Sequence, residues 1–395
     1  MEQVLDKSVF VNGVIVFGAG NIGKMTVFLL RNSGVSRVHC FDNDSSKWGV
    51  KLFGSLRCEM PSLIGRGLPV LIAIENKVVK REIREQCQKL GYKQIYEVDV
   101  ARLRMEADRL SDKEYLELLF YLRIGKELDV NCPKTFNEKL QWLKLYDRNP
   151  LYIRMTDKLE AKEYVAGIIG EKYIIPTLGK WDRFEEIDFR KLPNEFVLKC
   201  THDSGSATII TDKGKMDYQC LKLKYEKALC TNHYKVGREW VYKNIKPRII
   251  AEKYIGNANR FKGDIVDYKL MCFNGKVRCS FTCTERFLGK DELKVTFYDE
   301  DWIKMPFERH YAADTGGGVS KPSSYNEMVK LAQQLAHDLP FARIDFYEME
   351  KQPYFGEITL YPGSGFEEFT PVEWDRKLGD WLELPKRGDY LEERK

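Results

Sequence analysis

The sequence predicts a chain of mixed class, α/β at its N-terminal end and α+β beyond, and three stretches carry that prediction. Val14-Ile15-Val16-Phe17 is an apolar run that enters Gly18-Ala19-Gly20-Asn21-Ile22-Gly23 and then a helix over 24–32, the strand–turn–helix opening of a parallel sheet. Alternating runs at 267–273 and 276–281 flank Asn274-Gly275, a strong antiparallel hairpin signal. Near the C-terminus, Arg343-Ile344-Asp345-Phe346 and the stretch from Phe355 to Gly363 read as two short antiparallel strands with charges set among apolar residues. At 395 residues, 43% hydrophobic and 12% aromatic, the chain suits roughly two or three domains. The reading divides it into a small parallel-sheet domain over 1–105, a helical connection over 106–150 and a larger body over 151–395.

In the first part a second strand at 37–41 ends on Asp42, about twenty positions after Gly23. That is a dinucleotide fingerprint in its expected context. Glycines permit the tight turn and close approach of phosphate, the helix N-terminus faces the anion, and the acid meets a ribose. A strand at 70–74, a helix at 78–90 and a strand at 94–98 complete a Rossmann-like sheet of four strands. Gly18, Gly20, Gly23 and Asp42 are therefore candidate ligands of NAD(H), or of another nucleotide or nucleotide-sugar; equally, the glycines serve close strand–helix packing alone. No second mononucleotide half and no hydride-transfer residues follow.

The connection holds two amphipathic patterns, one at 112–125 and one after Pro133 that opens at Thr135 or Asn137. Packing against a domain is favoured over a membrane anchor, because acidic residues dilute any basic face. In the body a helix opens at Thr156-Asp157-Lys158, either of the first two residues serving as cap. A strand at 195–200 ends in Lys199-Cys200, and the loop Thr201-His202-Asp203-Ser204-Gly205-Ser206-Ala207 returns into a strand at 208–210. Loop N–H groups can wrap phosphate oxygens while a lysine supplies positive charge. A strand at 249–255 follows, Asp267 and Lys269 share one strand face, and a helix at 325–339 precedes the last two strands. Asp345 and Glu357 flank the hairpin over 348–353, so paired strands would aim both carboxylates at one point. They either hold Mg²⁺ on a nucleotide or are salt-bridged to Arg343 and to lysines.

Composition excludes several classes. A net charge of +5 against 64 basic and 59 acidic residues leaves no nucleic-acid footprint. No run reaches the length of a membrane span, the first residues lack a signal peptide's pattern, and a cytoplasmic location is expected. The ten cysteines lack CxxC spacing and read as reduced, mostly buried thiols; no histidine is spaced to serve one as a catalytic base.

The order of these motifs carries a resemblance. Asp157-Lys158, Val197-Leu198-Lys199 with its Ser204-Gly205-Ser206 loop, Ala251-Glu252-Lys253-Tyr254-Ile255, Asp267-Tyr268-Lys269, Arg343-Ile344-Asp345 and the run Gly356-Glu357-Ile358-Thr359-Leu360-Tyr361-Pro362-Gly363 resemble an ATP-grasp enzyme. More narrowly, the chain resembles the TupA-like ATP-grasp amidoligases of polysaccharide gene clusters over roughly 110–385, Pro133 to Trp142 included. The resemblance implies two α+β subdomains holding ATP between them. Lys158 and Lys199 would then meet the phosphates and the adenine side, and Ser204, Gly205 and Ser206 would form a lid. Glu252, Lys253, Tyr254 and Ile255 would line the adenine, Asp267 would take the ribose and Lys269 the γ-phosphate. Asp345 and Glu357 would bind magnesium, as two ions, with Thr359 standing where many ATP-grasp enzymes have Asn. Arg343 or Arg286 would hold the substrate carboxylate or the tetrahedral oxyanion. The implied reaction passes ATP's γ-phosphoryl group to a carboxylate and lets an amine attack the acylphosphate, on a carboxylated sugar or precursor of a surface polysaccharide. The implied partners are that acid and amine, with peripheral association with polysaccharide machinery. The alternatives are a phosphotransferase of the same fold and an NAD-dependent sugar enzyme using the N-terminal domain.

Overall fold

The computed structural model describes residues 9–65, 67–256, 266–284, 293–316 and 318–386; Arg286 lies outside them. The chain forms two compact units, 1–128 and 129–395. Among the described residues no helix is long and apolar enough to cross a membrane.

In the first unit β1 (Val14–Phe17), α1 (Asn21–Asn32), β2 (Val38–Phe41), β3 (Cys58–Glu59), β4 (Val70–Ile72), α2 (Lys77–Lys89) and β5 (Ile95–Glu97) build a parallel five-stranded sheet of order β3-β2-β1-β4-β5. The expected four strands are present, and the edge strand β3 is additional; two residues are too few to show any period. α1 crosses the glycine turn so closely that a Cβ on Gly23 would lie 1.6 Å from the Gly18 carbonyl oxygen, and Gly18 itself adopts φ +115°. Both glycines are therefore demanded by the chain's own packing. α3 (Val100–Asp108) and α4 (Asp112–Ile124) follow, the latter opened by a Ser111–Glu114 capping box and closed by Gly125. Leu118 and Tyr121 of α4 sit in one core with Val27, Phe28 and Leu103.

The second unit begins with α5 (Phe136–Tyr146), whose N-cap Thr135 forms a capping box with Glu138, then α6 (Leu151–Thr156) and α7 (Glu160–Ile169). The Asp157 carboxylate accepts the N–H groups of Leu159 and Glu160 at 2.8 and 3.1 Å, so Asp157 rather than Thr156 satisfies the start of α7. An antiparallel sheet of order β6-β9-β7-β8 comes next, from β6 (Thr177–Trp181), β7 (Phe196–Cys200), β8 (Thr208–Ile210) and, after α8 (Tyr218–Leu229) and the short α9 (Tyr234–Gly237), β9 (Ile249–Lys253). Phe184, Phe196, Leu198, Leu221 and Tyr225 form its core. The second antiparallel sheet has order β12-β11-β10-β14-β15 and joins β10 (Asp267–Phe273), β11 (Lys276–Thr284), β12 (Lys294–Tyr298), β14 (Phe341–Met349) and β15 (Gln352–Thr359). A small ribbon pairs β13 (Glu308–Arg309) with β16 (Phe369–Thr370), while α10 (Tyr325–Leu335) and α11 (Glu373–Trp381) pack on the same core.

One irregularity in this sheet sets up the site. Asp345 pairs with Glu357 but Phe346 pairs with Phe355, which leaves Gly356 as an extra residue. Phe355 and Glu357, two positions apart, therefore stand on opposite faces. A Cβ on Gly356 would come within 3.1 Å of the Asp345 carbonyl oxygen and 3.2 Å of the Tyr347 ring. Gly356→Val is expected to cost about 1–3 kcal/mol in denaturant unfolding, because neither neighbour can retreat without disturbing the ladder. An unchanged midpoint would remove the bulge from the account.

Candidate active site

Register places the charged row. Lys269 of β10 lies opposite Asp345 of β14, and Asp345 lies opposite Glu357 of β15. Arg343 and Thr359 face each other one rung away on the same side. Lys269 Nζ stands 2.6 Å from Asp267 Oδ2 and also donates to Asp345. The Arg343 guanidinium forks onto Asp345 at 2.7 and 2.8 Å and reaches Glu357 Oε1 at 2.7 Å. The Thr359 hydroxyl donates to the same Glu357 oxygen at 3.2 Å. Asp345 is buried, whereas the Glu357 side chain remains 41% exposed. Burial pushes the Asp345 carboxyl up to about 6, against the pull of Arg343 and Lys269. Burial acts upward on Glu357 too, but Arg343, Lys269 and Lys158 outweigh it and hold that carboxyl well below the usual range. Arg343 thus serves as ion-pair partner to both acids.

The other sheet contributes a second buried charge cluster. Glu252 of β9 lies diagonally across from Lys199 of β7, whose Nζ is 2.6 Å from Glu252 Oε2. Lys162 of α7 pairs with the other oxygen and donates to the Ile175 carbonyl at 2.7 Å and to Thr177 Oγ1 at 3.1 Å. Burial lowers the affinity of Lys162 for its proton against the opposing pull of Glu252. The strand stops at Lys253, short of the expected 255; Lys253 is exposed, and Tyr254 and Ile255 are half-buried beyond it.

The loop after β7 is internally braced. Ser206 Oγ accepts the Cys200 N–H at 2.8 Å and donates to Asp203 Oδ1 at 2.7 Å, so Ser206 is buried, while Ser204 and Gly205, with φ +100°, are exposed at the tip. Lys158 donates to the Asp203 carbonyl, and burial lowers its pKa.

A cavity of about 390 Å³ opens between the two sheets. Of the expected residues Lys158, Ser204, Arg343, Glu357 and Thr359 line it, and Asp203 lines it as well. Lys199, Glu252, Asp267, Lys269 and Asp345 are not on its lining. Its remaining walls hold residues that carry no motif signal: His233, Glu239, Tyr242 and Ser364. The loop containing Ser364 takes left-handed φ values at Gly363, Ser364 and Gly365. The polar side of α5 pins that loop: Gln141 Nε2 donates to the Gly365 carbonyl at 2.6 Å, and Lys144 Nζ to the carbonyls of Gly237 and Ser364 at 2.6 and 3.0 Å. Sequence periodicity marked α5 for its apolar face; three polar residues at helical spacing, Asn137, Gln141 and Lys144, were the available signal.

Among the described residues no group of three or more His, Cys, Asp or Glu gathers round one point. Two carboxylates beside a cavity still fit a magnesium ion that draws its other ligands from phosphate and water. In the first unit, Asp42 accepts the Ala19 N–H at 2.7 Å and the Asp44 N–H at 2.9 Å and pairs with Lys47 at 3.1 Å, so its oxygens brace the glycine turn.

Solved structures share this arrangement only distantly. A D-alanine–D-alanine ligase from Bacillus anthracis, complexed with ATP, is 12% identical over 93% of this chain and 94% of its own, with a TM-score of 0.33. A RimK domain ATP-grasp protein from Sphaerobacter thermophilus is 9% identical over 93% and 98%, with a TM-score of 0.32. No curated protein matches the chain. The TupA-like ATP-grasp family model matches residues 138–383, which spans both antiparallel sheets and every residue of the cavity named above. The chain belongs to the TupA-like ATP-grasp family.

Proposed function

We propose that this enzyme joins a carboxylate to an amine through an acylphosphate, with ATP and magnesium held at the cavity between the two antiparallel sheets. One observation carries the reading: Glu357 projects from the Lys269–Asp345–Glu357 row into a cavity that Lys158, Asp203 and Ser204 also line. Lys158 and the exposed tip at Ser204-Gly205 are suited to phosphate oxygens, with Ser206 bracing the tip from below. Glu252 is suited to fixing Lys199 and Lys162 for the nucleotide, with the backbone of Lys253, Tyr254 and Ile255 at the base edge. Asp267 and Asp345 hold Lys269, which would supply positive charge toward the transferring group from behind the cavity wall. Asp345 and Glu357 would hold magnesium, with Thr359 beside them; the ion would neutralise charge on the transferring phosphoryl group. Arg343 would then turn part of its fork from the acids to the substrate carboxylate. Family resemblance supports a carboxylated sugar or polysaccharide precursor as the acid, the cysteine pattern supports a cytoplasmic setting, and the G-x-G-x-x-G turn ahead of Asp42 supports a nucleotide or nucleotide-sugar in the first unit.

Purified protein should release inorganic phosphate from Mg·ATP only when a carboxylate and an amine are both supplied, measured by phosphate assay across a matrix of acid–amine pairs. A product that retains ATP's phosphorus would replace the ligase by a phosphotransferase.

A further inference from the structure

The cavity's lining includes the cations Lys158 and Arg343, suited to the anions of an acyl transfer. It also includes His233, Glu239 and Tyr242, residues that the handling of nucleotide and carboxylate leaves without a task. Three acids line the cavity: Asp203 meets Ser206 and Lys158, and Glu357 meets Arg343 and Thr359. The third, Glu239, is half-buried and interacts with the Ser364 hydroxyl, within the field of the Lys144 ammonium. Burial acts first on its carboxyl and raises its proton affinity above its ordinary value, against the pull of Lys144 and Ser364.

Aromatic surface stands beside it. The His233 and Tyr242 rings meet edge-on at 4.9 Å between centroids. A carboxylate beside an aromatic ring is an environment that attracts a primary ammonium and repels phosphate. The backbone there is held rigidly. Lys144 ties Gly237 to Ser364, and a Cβ on Gly237 would lie 1.9 Å from Ser364 Oγ, so the two segments touch at closest approach.

We propose that Glu239, with Tyr242 and His233, is the amine subsite of this ligase. The inference rests on the ligase reading and names where its nucleophile binds. The Glu239 carboxylate receives the substrate ammonium and takes one of its protons, becoming a carboxylic acid. The freed lone pair attacks the acylphosphate carbon, the new C–N bond forms, and the C–O bond to phosphate breaks with phosphate leaving. The second nitrogen proton departs to solvent as the tetrahedral adduct collapses.

Glycinamide is the probe, a small primary ammonium without a carboxylate of its own. It is titrated calorimetrically into full-length protein saturated with Mg²⁺ and the non-hydrolysable ATP analogue AMPPNP. Wild type is expected to bind glycinamide and to ignore neutral acetamide. Glu239→Gln should weaken glycinamide about tenfold or more, the scale of a lost charge-assisted contact, with Mg·AMPPNP affinity within about twofold of wild type. Tyr242→Phe, which keeps the ring, should weaken it by less than Glu239→Gln, and it carries the test if Glu239→Gln fails to fold. Equal glycinamide affinity in Glu239→Gln, or in Tyr242→Phe where Glu239→Gln fails to fold, would overturn the subsite. So would wild type that binds no glycinamide. Wild type that fails to bind Mg·AMPPNP would instead strike the ATP site.

Discussion

Glu357→Gln is expected to lower ATP-dependent turnover by about a hundred- to a thousandfold, the scale on which single preorganised charges act in transition states. Its melting temperature should stay close to that of wild type. Two features of the site separate activity from stability here. The Glu357 carboxylate lies at the open end of the charged row, 41% exposed, so its neutralisation buries no orphaned charge. Arg343, its cation, retains a two-pronged contact to Asp345 and is not stranded. The amide keeps the length and shape of the side chain, and the Gly356 bulge that aims it is backbone geometry that the substitution does not touch. What is lost is one of the two hard anionic oxygen donors proposed for magnesium, together with the negative charge that orders Arg343 and Thr359 around it. Phosphate release at saturating Mg·ATP, beside a thermal melt, measures both halves. Unaltered turnover would remove Glu357 from the proposed metal pair; a collapsed melt would make it a structural residue.

Elements whose signal is local were legible in the sequence. Strands 208–210 and 267–273 lie where alternation and turn residues put them, and the Asn274-Gly275 turn adopts φ +48° and +77°, as a tight hairpin between twisted strands requires. The G-x-G-x-x-G turn was legible for the same reason, since the contact it serves, Gly23 against Gly18, is made within its own six residues. The charged row was half legible. Asp345 and Glu357 stood out as acids in apolar strands, but period alone could not reveal that a bulge at Gly356 brings Glu357 round to face Asp345. The identity of long-range partners was not legible. Lys162 and Glu252 meet between α7 and β9, and Lys144 reaches Gly237 at the end of α9 and Ser364 in a turn far along the chain. Neither lysine breaks its helix pattern. The residues His233, Glu239 and Tyr242 belong to the cap of α9 and to a short 3-10 helix over Trp240–Asn244 with its cap, too short to show a period.

The charge on Glu252 should matter more to the fold than that on Glu357. Glu252→Gln is expected to cost about 3–5 kcal/mol at neutral pH, the usual consequence of removing one partner from a buried ion pair. Both lysines that share its carboxylate are largely buried, Lys199 with a side chain 15% exposed and Lys162 with one 9% exposed. An amide cannot neutralise either, so two ammonium groups would face each other around one uncharged side chain. Lys162 already has a lowered proton affinity through burial and would release its proton more readily still. The pH dependence follows from the direction of the Glu252 shift. Burial alone would raise its pKa, yet Lys199 and Lys162 overcome that and hold it below its ordinary value. A carboxyl depressed in the folded state contributes stability above its unfolded pKa, about 4.3 for Glu, and loses that contribution as pH falls through the folded value. Urea unfolding of wild type and Glu252→Gln should therefore differ most near pH 7 and converge under acid conditions. A gap that stays constant with pH would mean that the glutamate stabilises by shape and not by charge, and the Lys162–Glu252–Lys199 bridge would lose its place as the electrostatic anchor between α7 and the β7–β9 strands.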